Sequence, residues 1–280
     1  MNASSIVSAD SDRTNRSRRG LVCGIALLAV CSSPALADNQ WNGYERKDMQ
    51  VDGRACFVIV PHHVAEGKPW IWRTEFFGHE PQGDLALLEK GFHVAYMDLQ
   101  NLYGAPVALD HMDKFHAHLV KEFGLSNKAV LEGFSRGGLF AFNWAARDPG
   151  KVAALYVDAP VCDFKSWPAG KGKGKRSDED WKRLLSVYGL TEEQALTYKQ
   201  NPVDNLAPLA KARIPILSVC GEADQVVPIE ENTRLVEKRY KELGGQITVI
   251  AKPGCDHHPH SLKDPTPIVE FVLKHTTGKK

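Results

Sequence analysis

The run Gly133-Phe134-Ser135-Arg136-Gly137-Gly138 places a serine between glycines, a setting in which a hydroxyl can act as a nucleophile. A serine hydroxyl attacks a carbonyl only when a base takes its proton and an acid orients that base. The apolar run 129–131 before the serine predicts a strand, and residues 139–142 after it predict a helix. A strand-to-helix turn this tight needs residues without side chains beside the serine. It would lift the hydroxyl to the carboxyl edge of a sheet, above the amino end of the helix. The plainer alternative is a structural turn with a solvent-facing serine; the flanking elements favour the nucleophile.

Candidates for the acid and the base follow two later predicted strands. After 214–219 comes Cys220-Gly221-Glu222-Ala223-Asp224-Gln225-Val226-Val227-Pro228, in which Asp224 is the chosen acid, with Glu222 a local rival and Asp163 a distant one. After 247–251 comes Gly254-Cys255-Asp256-His257-His258-Pro259-His260. His257 is the chosen base; His258 and His260 remain open, although Pro259 steers His258 away from helical geometry. The His-His-x-His spacing lacks the regular ligand pattern of a zinc helix, so no metal is expected. Nor does hydrolysis by such a triad require a cofactor.

The elements that must position these residues alternate between short β-rich runs and helical patterns. Residues 43–50 and 55–60 predict a hairpin turning at Asp52-Gly53. Further strands are expected over 70–73, 93–97 and 152–157, and helices over 84–90, 107–123, 137–146, 230–243 and 267–274. Such alternation implies an α/β architecture, a mostly parallel central sheet with helices on both faces. Between residues 161 and 210 the alternation stops. That stretch carries a Gly/Lys run over 170–176 and two helical patterns, 178–188 and 191–199, and reads as a small cap inserted over the site.

At these residues the chain resembles the α/β-hydrolase superfamily, most closely its prolyl-oligopeptidase-like and acetyl-xylan-esterase-like branch. The elbow over 133–138, the Gly-x-x-Asp-x-x-Val-Pro stretch over 221–228 and the Gly-x-x-His stretch over 254–257 carry the likeness. The order serine, acid, histidine is also that superfamily's order. The likeness spans essentially all of 38–280 and implies an α/β-hydrolase fold. It further implies a Ser135-His257-Asp224 triad that cleaves a carboxylic ester through an acyl-enzyme. One departure is Asp256, where such loops often carry glycine. The resemblance also implies oxyanion donors at the Arg136 N–H and in the loop after the third predicted strand, near Arg73 and Thr74. Glucuronoyl esterases are similar in having arginine after the serine, and there the guanidinium helps hold the oxyanion; a surface Arg136 paired with Glu132 or an aspartate is the alternative. The runs over 163–168 and 257–262 resemble hydrolases of bacterial glycan-degrading systems. An ester carried on a carbohydrate is therefore the expected substrate, with Trp72, Trp167 and His258 as candidate contacts. Trp70, Phe76 and Phe77 add aromatic surface that suits a sugar ring and also a plain core, the more common use. Arg73, Arg136, Lys171, Lys173, Lys175 and Arg176 raise the expectation of an anionic component in the substrate. A serine peptidase of the same branch and an inactive hydrolase fold that only binds are the rivals.

The formal net charge of +1 on 280 residues favours neither nucleic acid nor an acidic membrane as partner. Arg13, Arg16, Arg18 and Arg19, then the apolar run 21–30, then Ala35-Leu36-Ala37 read as an export signal over 1–37, with a mature start at Asp38. The apolar run is too short to span a bilayer comfortably, so no stable membrane insertion is expected after cleavage. Ser17-Arg18-Arg19 leaves Tat and Sec export both open, to the periplasm or beyond. In an exporting compartment a Cys220–Cys255 disulfide is a possible pairing.

Overall fold

The computed structural model describes residues 39–276, so the export signal and its cleavage site lie outside the described residues. Strands β1 (Gln40–Trp41), β2 (Tyr44–Val51) and β3 (Arg54–Val60) form an antiparallel edge. Asp52 and Gly53, both at positive φ (53° and 74°), close the β2–β3 hairpin as its two central residues. That is the left-handed pair that matches strand twist.

The rest of the sheet comprises β4 (Trp70–Arg73), β5 (His93–Met97), β6 (Ala129–Phe134), β7 (Val152–Asp158), β8 (Ile216–Gly221) and β9 (Ile247–Lys252), all mutually parallel. The order across the sheet is β1-β2-β3-β5-β4-β6-β7-β8-β9. This is the α/β-hydrolase fold. The chain runs from β4 outward to β5, then returns to place β6 on the other side of β4. Crevices for ligands open at the carboxyl ends of strands where the winding reverses in this way, and Ser135 lies there.

Helices α1 (Gln82–Glu89) and α8 (Thr266–Thr276) cover one face, and α2 (Pro106–His118), α3 (Gly137–Arg147) and α7 (Thr233–Glu242) the other. The strands β4 to β8 are buried along almost their whole length, as expected for parallel strands covered on both faces. Between β7 and β8 lie α4 (Asp178–Tyr188), α5 (Glu192–Leu196) and α6 (Ala207–Lys211). Phe164, Trp181, Leu184 and Ala195 bury one another there and seat on Tyr103 and Leu139 of the main body. Two expectations are corrected. The helix expected over 191–199 ends at Leu196, because only its capping box and first turn form. The helix expected over 107–123 stops at His118 and continues through 119–123 as a widened turn closed by Gly124 at φ 64°.

The elbow depends on glycine by close approach. A Cβ on Gly133 would lie 2.8 Å from Gly137 O, and one on Gly138 2.6 Å from Pro160 Cβ. Gly133→Ala should therefore lower the unfolding free energy by about 1–3 kcal/mol. Gly150→Ala, whose Cβ would find only Asp148 Oδ1 at 3.5 Å, should change it by no more than about 0.5 kcal/mol. Urea melts of both variants check this, and equal melts would contradict it.

Candidate active site

Ser135 sits between β6 and α3 with φ at 48°, a left-handed conformation that a residue with a side chain rarely adopts. Main-chain bonds hold it there. Its N–H donates to Asp158 O at 2.9 Å, and its carbonyl accepts from Gly138 N at 3.0 Å and Val161 N at 2.8 Å. Its Oγ lies 2.9 Å from His257 Nε2. His257 Nδ1 lies 2.7 Å from Asp224 Oδ2, in a contact buried on both sides. A carboxylate can only accept at Nδ1, so Nε2 is left to receive the serine proton. The second Asp224 oxygen accepts from Val226 N at 2.9 Å and Val227 N at 2.8 Å, which fixes the carboxylate against the β8–α7 loop.

The rivals fall elsewhere. Glu222 is exposed, and Asp163 caps Lys165 N at 2.9 Å. Asp256 accepts from Gln225 N and His257 N, bonds that hold its carboxyl below the usual range; it shapes the loop, while Asp224 alone meets the ring. His260 turns to a different carboxylate, its Nδ1 lying 2.8 Å from Asp158 Oδ1. His258 stands exposed at the rim of the site.

The side chains of Arg73, Thr74 and Arg136 are all engaged within the fold. Arg73 is fully buried beneath the site. Its guanidinium pairs with Asp84 at 2.5 Å and Glu132 at 3.3 Å, bonds His79 O, and lies over the Phe134 ring. Thr74 is spent within the fold: its N–H donates to Glu132 O at 2.9 Å and its hydroxyl bonds the carbonyls of Glu132 and Gly137. The Arg136 guanidinium binds Glu75 at 2.8 Å and reaches Asp180 and Asn101 at 3.4 Å, so it is neutralised. The main-chain N–H of Arg136, at the amino end of α3, takes no partner among the described residues, and neither does that of Phe76. Phe76 is held at φ 54° in the loop after β4.

The pocket, about 360 Å³, is lined by Phe76, Phe77, His79, His258 and His260 around Ser135 and His257. Trp72 is not among them. It is 1% exposed and packs on Trp70, Phe115 and Trp144, because β4 runs through the middle of the sheet. Trp167 packs within the α4–α5 cluster. Lys171 pairs with Glu192 and Arg176 with Asp178, and neither they nor Lys173 and Lys175 line the pocket. The expected positive wall is therefore missing. Cys220 and Cys255 are separate thiols: Cys220 is buried on β8 beside Thr233, whereas Cys255 Sγ turns to His258 O at 3.6 Å.

His79 and Asp158 were not legible in the sequence as site residues. His79 follows Phe76-Phe77-Gly78 in the loop after β4, and Asp158 is the last residue of β7. Position at the end of a parallel strand was the only available signal for Asp158.

Burial raises the Glu75 carboxyl from 4.5 to about 7, opposed by the neighbouring Arg136 guanidinium. The folded state thus holds this proton more tightly than the unfolded chain. The stability it contributes is full below about 4.5 and is lost as pH rises to about 7. Glu75→Gln should remove that slope. The variant's unfolding free energy relative to wild type should improve by roughly 3 kcal/mol at most between about pH 4.5 and about pH 8. Urea melts across that range measure it, and a difference that stays flat counts against an ionising Glu75.

The model of the prolyl oligopeptidase family matches residues 90–278, a span that contains Ser135, Asp224 and His257. Among solved structures, the chain is similar to dipeptidyl peptidase 4 of Porphyromonas gingivalis, with a TM-score of 0.64 at 16% identity over 84% of this chain and 36% of that one. It is similar to the acylaminoacyl peptidase of Pyrococcus horikoshii, with a TM-score of 0.59 at 14% identity over 76% of this chain and 37% of that one. A candidate lipase from Acinetobacter baumannii AYE gives 0.54 at 17% identity, over 84% of this chain and 93% of that one. The chain thus spans little more than a third of the length of either peptidase, and at these identities the likeness is one of fold. With a family model matched over well more than half of its residues, the chain belongs to the prolyl oligopeptidase family.

Proposed function

We propose that this chain is an exported esterase that cleaves a neutral carboxylic ester on a carbohydrate, with Ser135 as nucleophile, His257 as base and Asp224 as its orienting acid. The hydrogen-bonded line Ser135–His257–Asp224, opening on a pocket lined by phenylalanines and imidazoles with no carboxylate, lysine or arginine, carries the proposal. Ser135 Oγ would attack the ester carbonyl while His257 Nε2 takes its proton. The Arg136 and Phe76 amides would receive the oxyanion. His257 would then return the proton to the departing alcohol, and water would release the acid by the same route. Phe76, 37% exposed beside the nucleophile, together with Phe77 and the imidazole edges, suits an aliphatic ring bearing hydroxyls.

A peptidase that reads a peptide's amino terminus would need a carboxylate facing the pocket. None of the lining residues supplies one, and Glu75, the nearest buried carboxyl of that loop, is engaged by Arg136. The same neutral wall removes support for an anionic substrate. Export rests on the order of charge, apolar run and Ala-Leu-Ala over 13–37. The exported protein should begin at Asp38 by intact mass, and a Met1 terminus in a cytoplasmic fraction would refute this.

Ser135→Ala should cost on the order of four to six decades in ester turnover while leaving the melting curve in place. His257→Ala should cost as much, and the double variant little more, since the pair acts as a unit. Acetylated polysaccharides and p-nitrophenyl acetate should be cleaved in preference to amino-acyl nitroanilides. Preference for the nitroanilides would replace the esterase reading with the peptidase one; near-native turnover by Ser135→Ala would remove both.

A further inference from the structure

His79, His258 and His260 come from two loops far apart in sequence, yet one ligand nitrogen from each lies within 4.8 Å of the others. His260 is held like a metal ligand. Its Nδ1 meets Asp158 Oδ1 at 2.8 Å, and the second Asp158 oxygen accepts from Ser261 N at 2.7 Å. Asp158 is fully buried at the end of β7, so the carboxylate has no freedom to turn. This partnership places the proton on Nδ1 and leaves Nε2 as the lone-pair donor. His79 is anchored through its backbone: its carbonyl accepts from the Arg73 guanidinium and its N–H donates to Phe76 O at 3.1 Å. The His79 and His258 rings are exposed, with centroids 5.7 Å apart and 5.6 Å and 4.7 Å from that of His260. His257 is not available as a ligand, because both its nitrogens are engaged by Ser135 and Asp224.

We propose that His79, His258 and His260 form a binding site for a transition-metal dication of the zinc class, at the mouth of the pocket that holds Ser135. Three imidazoles without a carboxylate suit zinc, cobalt, nickel or copper and do not suit magnesium or calcium. In a tetrahedral site the ligand nitrogens stand roughly 3.3 Å apart. Small rotations of the two exposed rings toward the fixed His260 Nε2 close the remaining gap. Three protein ligands leave a fourth position open, and here it faces the pocket. Asp158 acts as a positioning residue through His260.

The test is cobalt(II) added to the metal-stripped full-length protein, followed by visible absorption, with zinc(II) titrated by calorimetry. Wild type should take up one equivalent and give the intense visible bands of a four-coordinate site. His79→Ala and His258→Ala, substitutions of exposed side chains, should each abolish both signals. Asp158→Asn should weaken binding by roughly 10–100-fold. Ser135→Ala should bind as wild type does, so the outcome does not depend on whether the esterase assignment holds. Absence of one-equivalent binding overturns the proposal, as does binding that survives both histidine variants or that is lost in Cys255→Ser.

Discussion

The site is organised around a backbone constraint at Ser135. A non-glycine residue at φ 48° is costly, and it persists only where the surroundings over-determine it. Here main-chain bonds to Asp158, Gly138 and Val161 enforce it from three sides. Two of those partners lie at or just after the end of β7, so the neighbouring strand fixes the nucleophile's backbone as firmly as its own strand does. The close packing of Gly133 on Gly137 and of Gly138 on Pro160 lets α3 start directly beneath the serine. The same geometry leaves the Arg136 amide free at the helix start, where the helix dipole favours developing negative charge.

A second constraint lies beneath the pocket. Arg73, Asp84 and Glu132 are buried together, joining β4, α1 and β6. Burial and the adjacent Asp84 push the Glu132 carboxyl well above the usual range. Glu132 Oε2 and Asp84 Oδ1 are buried without a hydrogen-bond partner. Removing a single member would leave a buried charge unpaired, so the group is retained as a unit. Its reach extends upward, because the same guanidinium holds the His79 carbonyl and with it the loop that carries Phe76. A charge read from sequence as facing substrate is thereby a structural clamp on the loop that does.

The two histidine–aspartate pairs show how one loop can serve two carboxylates. His257 faces Asp224 from the loop after β8, and His260 faces Asp158 at the end of β7. The rings stand edge to face, 4.9 Å between centroids, yet only His257 reaches Ser135. Each carboxylate sets the tautomer of its own ring. The loop thus presents two imidazoles of fixed orientation to one pocket, one toward the serine and one toward the histidines of the rim.

Local sequence determined the elements and the candidate triad. Apolar runs, glycines and the Asp52-Gly53 turn act over a few residues, and their spacing carried the α/β alternation and the elbow, while the choice of Asp224 and His257 rested on the likeness to the superfamily. What the sequence could not carry was the direction of side chains. Trp72 and Arg73 are adjacent to the site in sequence but lie in a strand covered on both faces, so both are core. Arg136 follows the nucleophile, yet its guanidinium turns to Glu75 and Asp180, 61 and 44 residues away along the chain. Cys220 and Cys255 are free thiols, one buried on β8 and the other turned to the His258 carbonyl. His79 and Asp158 entered the site only when the sheet brought the ends of β4, β6 and β7 to one edge. Periodicity and turn chemistry are local and survive in the sequence; the partner of a buried charge or ring is set by packing between distant segments, and only the tertiary structure decides it.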